Sequence, residues 1–150
     1  MSLKGRSKSS KTIEVRSDIH DGSSTAVCSK EPYVSEIDTV IKPNKLQQVL
    51  NEACNDSMTK KADLLVINGE PMDGANKKQL GQQSWTTNIE DQMRDAEILI
   101  KDIPHDKILF IRGSGYHVQV DGTNFEEVMA NRMGAMRYKS YGGQGATDNY

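Results

Sequence analysis

Residues 63–69 read DLLVING, and EPMDG follows directly as residues 70–74. The run Leu64–Ile67 is uninterrupted aliphatic sequence rich in branched side chains, too short for a helix and bounded by a polar, Gly/Pro-containing turn. It reads as a strand of a parallel sheet covered on both faces. A second run of the same kind, KILFIRG, occupies residues 107–113, and a further strand candidate, TIEVRS, which is not a continuous apolar run, occupies residues 12–17.

Helical patterns separate the three strand candidates. After Pro43, the positions Leu46, Val49, Leu50, Ala53, Cys54 and Met58 follow helical spacing and predict one apolar face. A second helix is predicted from Asn88, with Ile89, Met93, Ala96, Leu99, Ile100 and Ile103 on one side and Pro104 at its end. A third runs from about Phe125 to Met133. Asn124 suits its cap, Glu126 and Glu127 the positive end of its dipole, and Gly134 its stop. Strand, helix, strand, helix, strand, helix predicts a layered α/β sandwich with a mainly parallel sheet. The domain is expected over residues 12–140. The Ser/Lys/Arg-rich residues 1–11 read as a flexible basic arm, and the Gly-rich residues 141–150 as a loose tail.

The 150 residues suffice for one domain with a core of its own. A formal net charge of -2 gives no electrostatic reason to expect nucleic acid or a membrane as partner. The aliphatic runs are too short to span a bilayer, and the basic start lacks the apolar stretch of a leader peptide. Cys28 and Cys54 have no metal-ligand spacing and read as unpaired thiols, which points to a cytoplasmic setting.

Each strand ends in a polar cluster. The first gives Asp18 and His20 within VRSDIHDG, residues 15–22. The second gives Asn68, Glu70 and Asp73. The third, RGSGYHV, gives Arg112, Ser114, Tyr116 and His117. In an open parallel sheet the carboxyl ends of the strands share one edge, where ligands bind. Carboxylates with imidazole at that edge suit Mn, Fe or Zn better than Ca, as one or two ions. His105 precedes the third strand, so it is expected at the opposite end, as a surface loop residue. Trp85 and Tyr116 read first as packing residues, and as stacking residues only if they reach the site. The chain has neither a phosphate loop of the Walker type nor a Gly-x-Gly-x-x-Gly before a helix.

The series SDIHDG, VINGEPMDG and FIRGSGYH resembles the first three blocks of calcineurin-like metallophosphoesterases, which read Asp-x-His, Gly-Asp-x-x-Asp and Gly-Asn-His-Asp/Glu, each after a strand. The stretch GQQSWTTNIEDQMRDAEILI, residues 81–100, resembles a subset of that family found in bacterial viruses. The likeness spans about residues 13–134. It implies a truncated metallophosphoesterase-like fold and hydrolysis of phosphomonoesters or phosphodiesters by a metal-activated hydroxide. It assigns Asp18, His20, Glu70 and Ser114 to metal, His117 to leaving-group protonation and Arg112 to a phosphate.

The chain departs from that pattern in three ways. Glu70 stands where the family has a bridging aspartate. Ser114 stands near the family's asparagine, with His117 three residues after it, a spacing two longer than the family's. Of the three histidines, His20, His105 and His117, none follows residue 117, whereas the family adds a lone His and a Gly-His-x-His. These departures imply an incomplete site with weak or conditional activity, or a non-catalytic scaffold or binding subunit descended from a phosphoesterase. The substrate expected is a phosphate ester, with nucleic acid among the compatible classes. An exposed sheet edge predicts a homo-oligomer or another partner covering it.

Overall fold

A computed structural model describes residues 10–30, 32–35, 37–56, 61–75, 81–114, 119–120 and 122–136. The three strand candidates form β1 (Ile13–Arg16), β4 (Leu64–Asn68) and β5 (Ile108–Ile111). Two short pairs accompany them, β2 (Tyr33–Val34) with β3 (Val40–Ile41), and β6 (Gln119–Val120) with β7 (Thr123–Asn124). The helices are α1 (Lys45–Asp56), α2 (Ile89–Lys101) and α3 (Phe125–Arg132). β4 is the central strand, parallel to β1 on one side and to β5 on the other. Val15 lies opposite Val66, and Val66 opposite Leu109.

One face of this sheet is the core. Leu65, Ile67, Ile108 and Phe110 pack with Met93, Ala96 and Ile100 of α2 and Met129 of α3. Both helices start as their sequences require. Asn88 accepts the amides of Glu90 and Asp91, and Asn124 accepts that of Glu127. Beyond α3, Gly134 takes the left-handed conformation, and the chain turns back so that the Met136 amide donates to the Ile108 carbonyl.

The other face departs from the expectation of strands covered on both sides. Ile13 and Val15 are about 60% exposed and Ile111 is 44% exposed. Val66 is shielded there by its register neighbours Val15 and Leu109. Among the described residues, then, the fold is a mixed α/β arrangement of a three-stranded parallel sheet and three helices, with its main core on one side.

α1 corrects a second expectation. Its apolar positions Leu46 and Val49 are half-exposed, while Gln47 and Asn51 are buried. The reason is hydrogen bonding. Gln47 donates to the Ser23 carbonyl, and Asn51 accepts the Cys28 amide. Gln47 also closes a reciprocal cap with Asn44 at the helix start. The helix is therefore fastened by its polar face to the loop that leaves β1. Met58 and the terminal arm and tail lie wholly or largely outside the described residues.

Candidate metal centre at the strand exits

The pairing of β1 with β4 does not stop where the strands end. The His20 amide donates to the Glu70 carbonyl, that of Asp21 to Pro71, and that of Asp73 to Asp21. These bonds carry the parallel register past both strands and set His20 against Glu70. Asp18, His20 and Glu70 all adopt left-handed backbone, with φ of 54°, 51° and 51°. That conformation costs a residue bearing a Cβ about 1–2 kcal/mol. Three such residues converge at one place, and the surrounding hydrogen bonds hold them there.

The side chains meet as well. His20 Nε2 lies 3.2 Å from Glu70 Oε2 and 4.0 Å from Asp18 Oδ1. One ligand atom from each of the three residues falls within 4.8 Å of the others. Behind the ring, Nδ1 lies 3.5 Å from Asp73 Oδ1, an ion-pair distance rather than a hydrogen-bond length. The imidazole thus has carboxylates on both sides, and Asp18, 71% exposed at its side chain, keeps the cluster open to solvent.

The third strand exit joins through α3. Buried Glu126 accepts the Glu70 amide with Oε1 and the Gly113 amide with Oε2, each at 2.8 Å. A Cβ on Gly113 would stand 2.6 Å from Glu70 N, and one on Gly69 would stand 3.0 Å from Gly113 Cα. Glycine at these two positions lets the exits of β4 and β5 touch. Ser114, one residue on, donates to Glu70 Oε1 at 2.5 Å.

Two polar groups from α2 complete the support. Gln92 is fully buried. It accepts the Gly74 amide and donates to the carbonyls of Gly74 and Thr86, fixing the turn that carries Asp73. Asp95 accepts the amide and hydroxyl of Ser29. Asp21, next to His20, is completely buried. Burial pushes its carboxyl well above the usual range, and the nearby Asp95 carboxyl adds to the effect. Burial raises the Glu126 carboxyl too, partly offset by its two amide donors. Cys28 is buried, and its thiol is pushed up to about 12 by burial and by Asp21 and Asp95. Both cysteines are free thiols.

Of the residues expected to act, Asp18, His20, Glu70 and Ser114 are adjacent. Arg112 is half-exposed, with a guanidinium nitrogen 3.8 Å from Glu127 Oε2. His117 and Tyr116 lie outside the described residues. His105 is at the opposite end of the sheet, half-buried where a surface loop residue was expected, in a bridge to Ala62 and within 2.6 Å of the Ile103 carbonyl. Trp85 packs against Tyr33, ring centroids 5.9 Å apart, and its amide donates to Gly22. The sequence reading missed Glu126, which it took for a helix-dipole residue, and it missed Gln92 and Asp21. A buried polar residue on a helix leaves little local trace, because its partners are distant in sequence.

The donor set is chemically suited to one divalent cation. Two carboxylates and an imidazole supply hard oxygen and borderline nitrogen, and three protein donors leave positions for water or substrate. No helix among the described residues is long and apolar enough to cross a membrane. Comparison with protein-family models, with curated proteins and with solved structures finds no match for this chain.

Proposed function

We propose that the chain binds a divalent metal ion through Asp18, His20 and Glu70, and that it is a metal-dependent phosphoesterase of truncated metallophosphoesterase-like type. The observation that carries this reading is the convergence of three left-handed residues from two strand exits, with their ligand atoms within 4.8 Å. Polar turns alone do not require three strained residues to share one point.

The protein's own groups would prepare the site. Glu126 fixes the backbone of Glu70, Ser114 occupies Glu70 Oε1, and Oε2 is thereby turned toward His20. Asp73 lies by Nδ1, which leaves Nε2 as the nitrogen facing the two other donors. A bound ion would supply Lewis-acid polarisation of a phosphoryl oxygen and an acidified water. Mn, Fe and Zn all suit the donors, and the substrate class is a phosphate ester. Cytoplasmic location is part of the same proposal and rests on the two free thiols.

One observation favours a second reading, a binding or structural subunit that holds metal without turnover. Ser114 donates its hydroxyl proton to Glu70, which supports a role in orienting that carboxylate over one as a metal ligand.

The test is calorimetric titration of metal-free protein with Mn²⁺ and Zn²⁺, followed by hydrolysis of bis(p-nitrophenyl) phosphate and p-nitrophenyl phosphate. Metal-dependent hydrolysis that disappears in Asp18→Asn supports the enzyme. Binding abolished by that substitution, without hydrolysis, supports the second reading. No binding in either protein overturns both.

A further inference from the structure

Among the described residues β1 is an edge strand, and its outer rim is organised for one kind of partner. Thr12 turns its carbonyl toward the Asp63 and Leu64 amides, and further along His20 turns its amide toward Glu70. Backbone groups alternate along a strand, so Thr12, Glu14 and Arg16 point toward β4. The amides and carbonyls of Ile13, Val15 and Ser17 then point away from the sheet. No backbone bond reaches them among the described residues. The far edge, on β5, is different, since Met136 already bonds to the outward carbonyl of Ile108.

We propose that this rim pairs with the same rim of a second copy of the chain, antiparallel, about a two-fold axis through Val15. Charge selects that register. Centred on Val15, the pairing sets Glu14 of each copy opposite Arg16 of the other. Moving the axis one residue toward the amino end sets Glu14 against Glu14. Moving it one residue the other way sets Arg16 against Arg16 and Glu14 against Asp18. Of these three registers only the one on Val15 opposes unlike charges, and like charges directly opposite are destabilising. An axis on Ser17 would set Arg16 against Asp18, but Asp18 is left-handed with φ of 54° and leaves the strand before it could pair. Within one chain Arg16 Nε already lies 2.8 Å from Glu14 Oε1, so the two side chains lie on the same side of the strand and within mutual reach.

The backbone agrees. Ile13 falls opposite Ser17, and Val15 opposite Val15, as hydrogen-bonded pairs. The Glu14–Arg16 pairs then take the closer, non-hydrogen-bonded positions, where side chains interact best. On the open face, Val15 meets its symmetry mate and both Val15 and Ile13 lose exposed area. The result is a six-stranded sheet running through both copies, with the two strand-exit clusters near its dyad.

The experiment is sedimentation equilibrium of the full chain up to about 1 mM, the weak end of specific association. The wild type is expected to dimerise. Arg16→Glu and Glu14→Arg, each folded by circular dichroism, are expected to associate at least tenfold more weakly. Glu14→Arg with Arg16→Glu together should restore the dimer, because the exchanged pairs attract again. Hydrogen exchange on the unaltered protein gives an independent reading. The amides of Ile13, Val15 and Ser17 should gain protection as concentration rises, whereas those of Glu14 and Arg16 should not depend on it. A monomeric wild type, a dimer indifferent to the single exchanges, or a double exchange that stays monomeric would overturn the proposal. So would a dimer dispersed by Ile111→Glu alone, which would place the contact on the open face.

Discussion

His20 and Glu70 are joined twice. The His20 amide donates to the Glu70 carbonyl at 3.0 Å, and its Nε2 stands 3.2 Å from Glu70 Oε2. The first bond continues the β1–β4 ladder, and the second is the short contact of the candidate metal centre. One register therefore sets both, and anything that shifts the exit of β4 must move the ligand atoms with it.

Glu126 is the residue best placed to cause such a shift. Glutamine in its place keeps one carbonyl acceptor but turns an amide donor toward the second backbone N–H. Leaving a buried donor unsatisfied costs about 1–3 kcal/mol. Glu126→Gln is expected to lose stability in that range by urea unfolding. Its Mn²⁺ affinity, measured by calorimetry, is expected to fall about 10–100-fold, the usual effect of losing support behind a ligand. Unchanged affinity with reduced stability would detach Glu126 from the site.

The pH dependence has a definite sign. Burial first and Asp95 second raise the Asp21 carboxyl, so its folded pKa stands above its unfolded value of 3.8. Over the window between those values the folded chain binds more protons than the unfolded one. Stability then falls as pH rises from about 4 upward, by at most about 1.4 kcal/mol per pH unit for each such group. Glu126, also raised by burial, acts in the same direction from 4.5. Asp21→Asn mimics the neutral acid, so it should flatten this slope in urea titrations between pH 4.5 and 7.5 while the fold persists. A slope that does not change would mean that Asp21 ionises in the folded chain.

Two glycines separate crowding from backbone strain. Alanine at Gly113 has no left-handed angle to fight, but its Cβ would meet Glu70 N at 2.6 Å. The exits of β4 and β5 must part, at about 1–3 kcal/mol, with a loss of metal affinity. Alanine at Gly134 meets nothing within 4 Å but must adopt φ of 64°. Its cost is about 1 kcal/mol, from conformation alone. Gly134→Ala should therefore lower the urea midpoint and leave Mn²⁺ binding as it was. Equal effects of the two on binding would refute the contact at Gly113.

The contrast between strands and supports explains what the sequence could convey. Aliphatic runs at 64–67 and 108–111 and caps at Asn88 and Asn124 are local signals, and the strands and helices lie within a few residues of them. The grouping of Asp18 with Glu70 was accessible because parallel strands present their exits on one edge. The polar inward face of α1 was not, since Gln47 and Asn51 are buried by partners more than twenty residues away. Glu126 read as a dipole residue because it does sit in the first turn of α3, and its reach to Glu70 spans 56 residues. The open second face escaped notice for a related reason. An apolar strand pattern records what could be covered, not which elements are there to cover it.

Asp18 offers the sharpest division between stability and binding. Its side chain is 71% exposed, and its φ of 54° strains any residue with a Cβ. Glycine relieves that strain of about 1–2 kcal/mol but adds about 0.5–1 kcal/mol of unfolded-chain freedom. Asp18→Gly is thus expected to be slightly more stable than the wild type in metal-free buffer, by up to about 1 kcal/mol. It should also lose a metal donor. In the wild type, free Mn²⁺ at a hundred times its dissociation constant should add about 2.7 kcal/mol to unfolding, and chelator should remove that gain. In Asp18→Gly at the same metal concentration most of the gain should vanish. The order of stabilities therefore inverts, with the variant ahead in chelator and the wild type ahead in Mn²⁺. A variant less stable in both buffers would mean that Asp18 is retained for folding, and the strained turn would no longer mark a ligand.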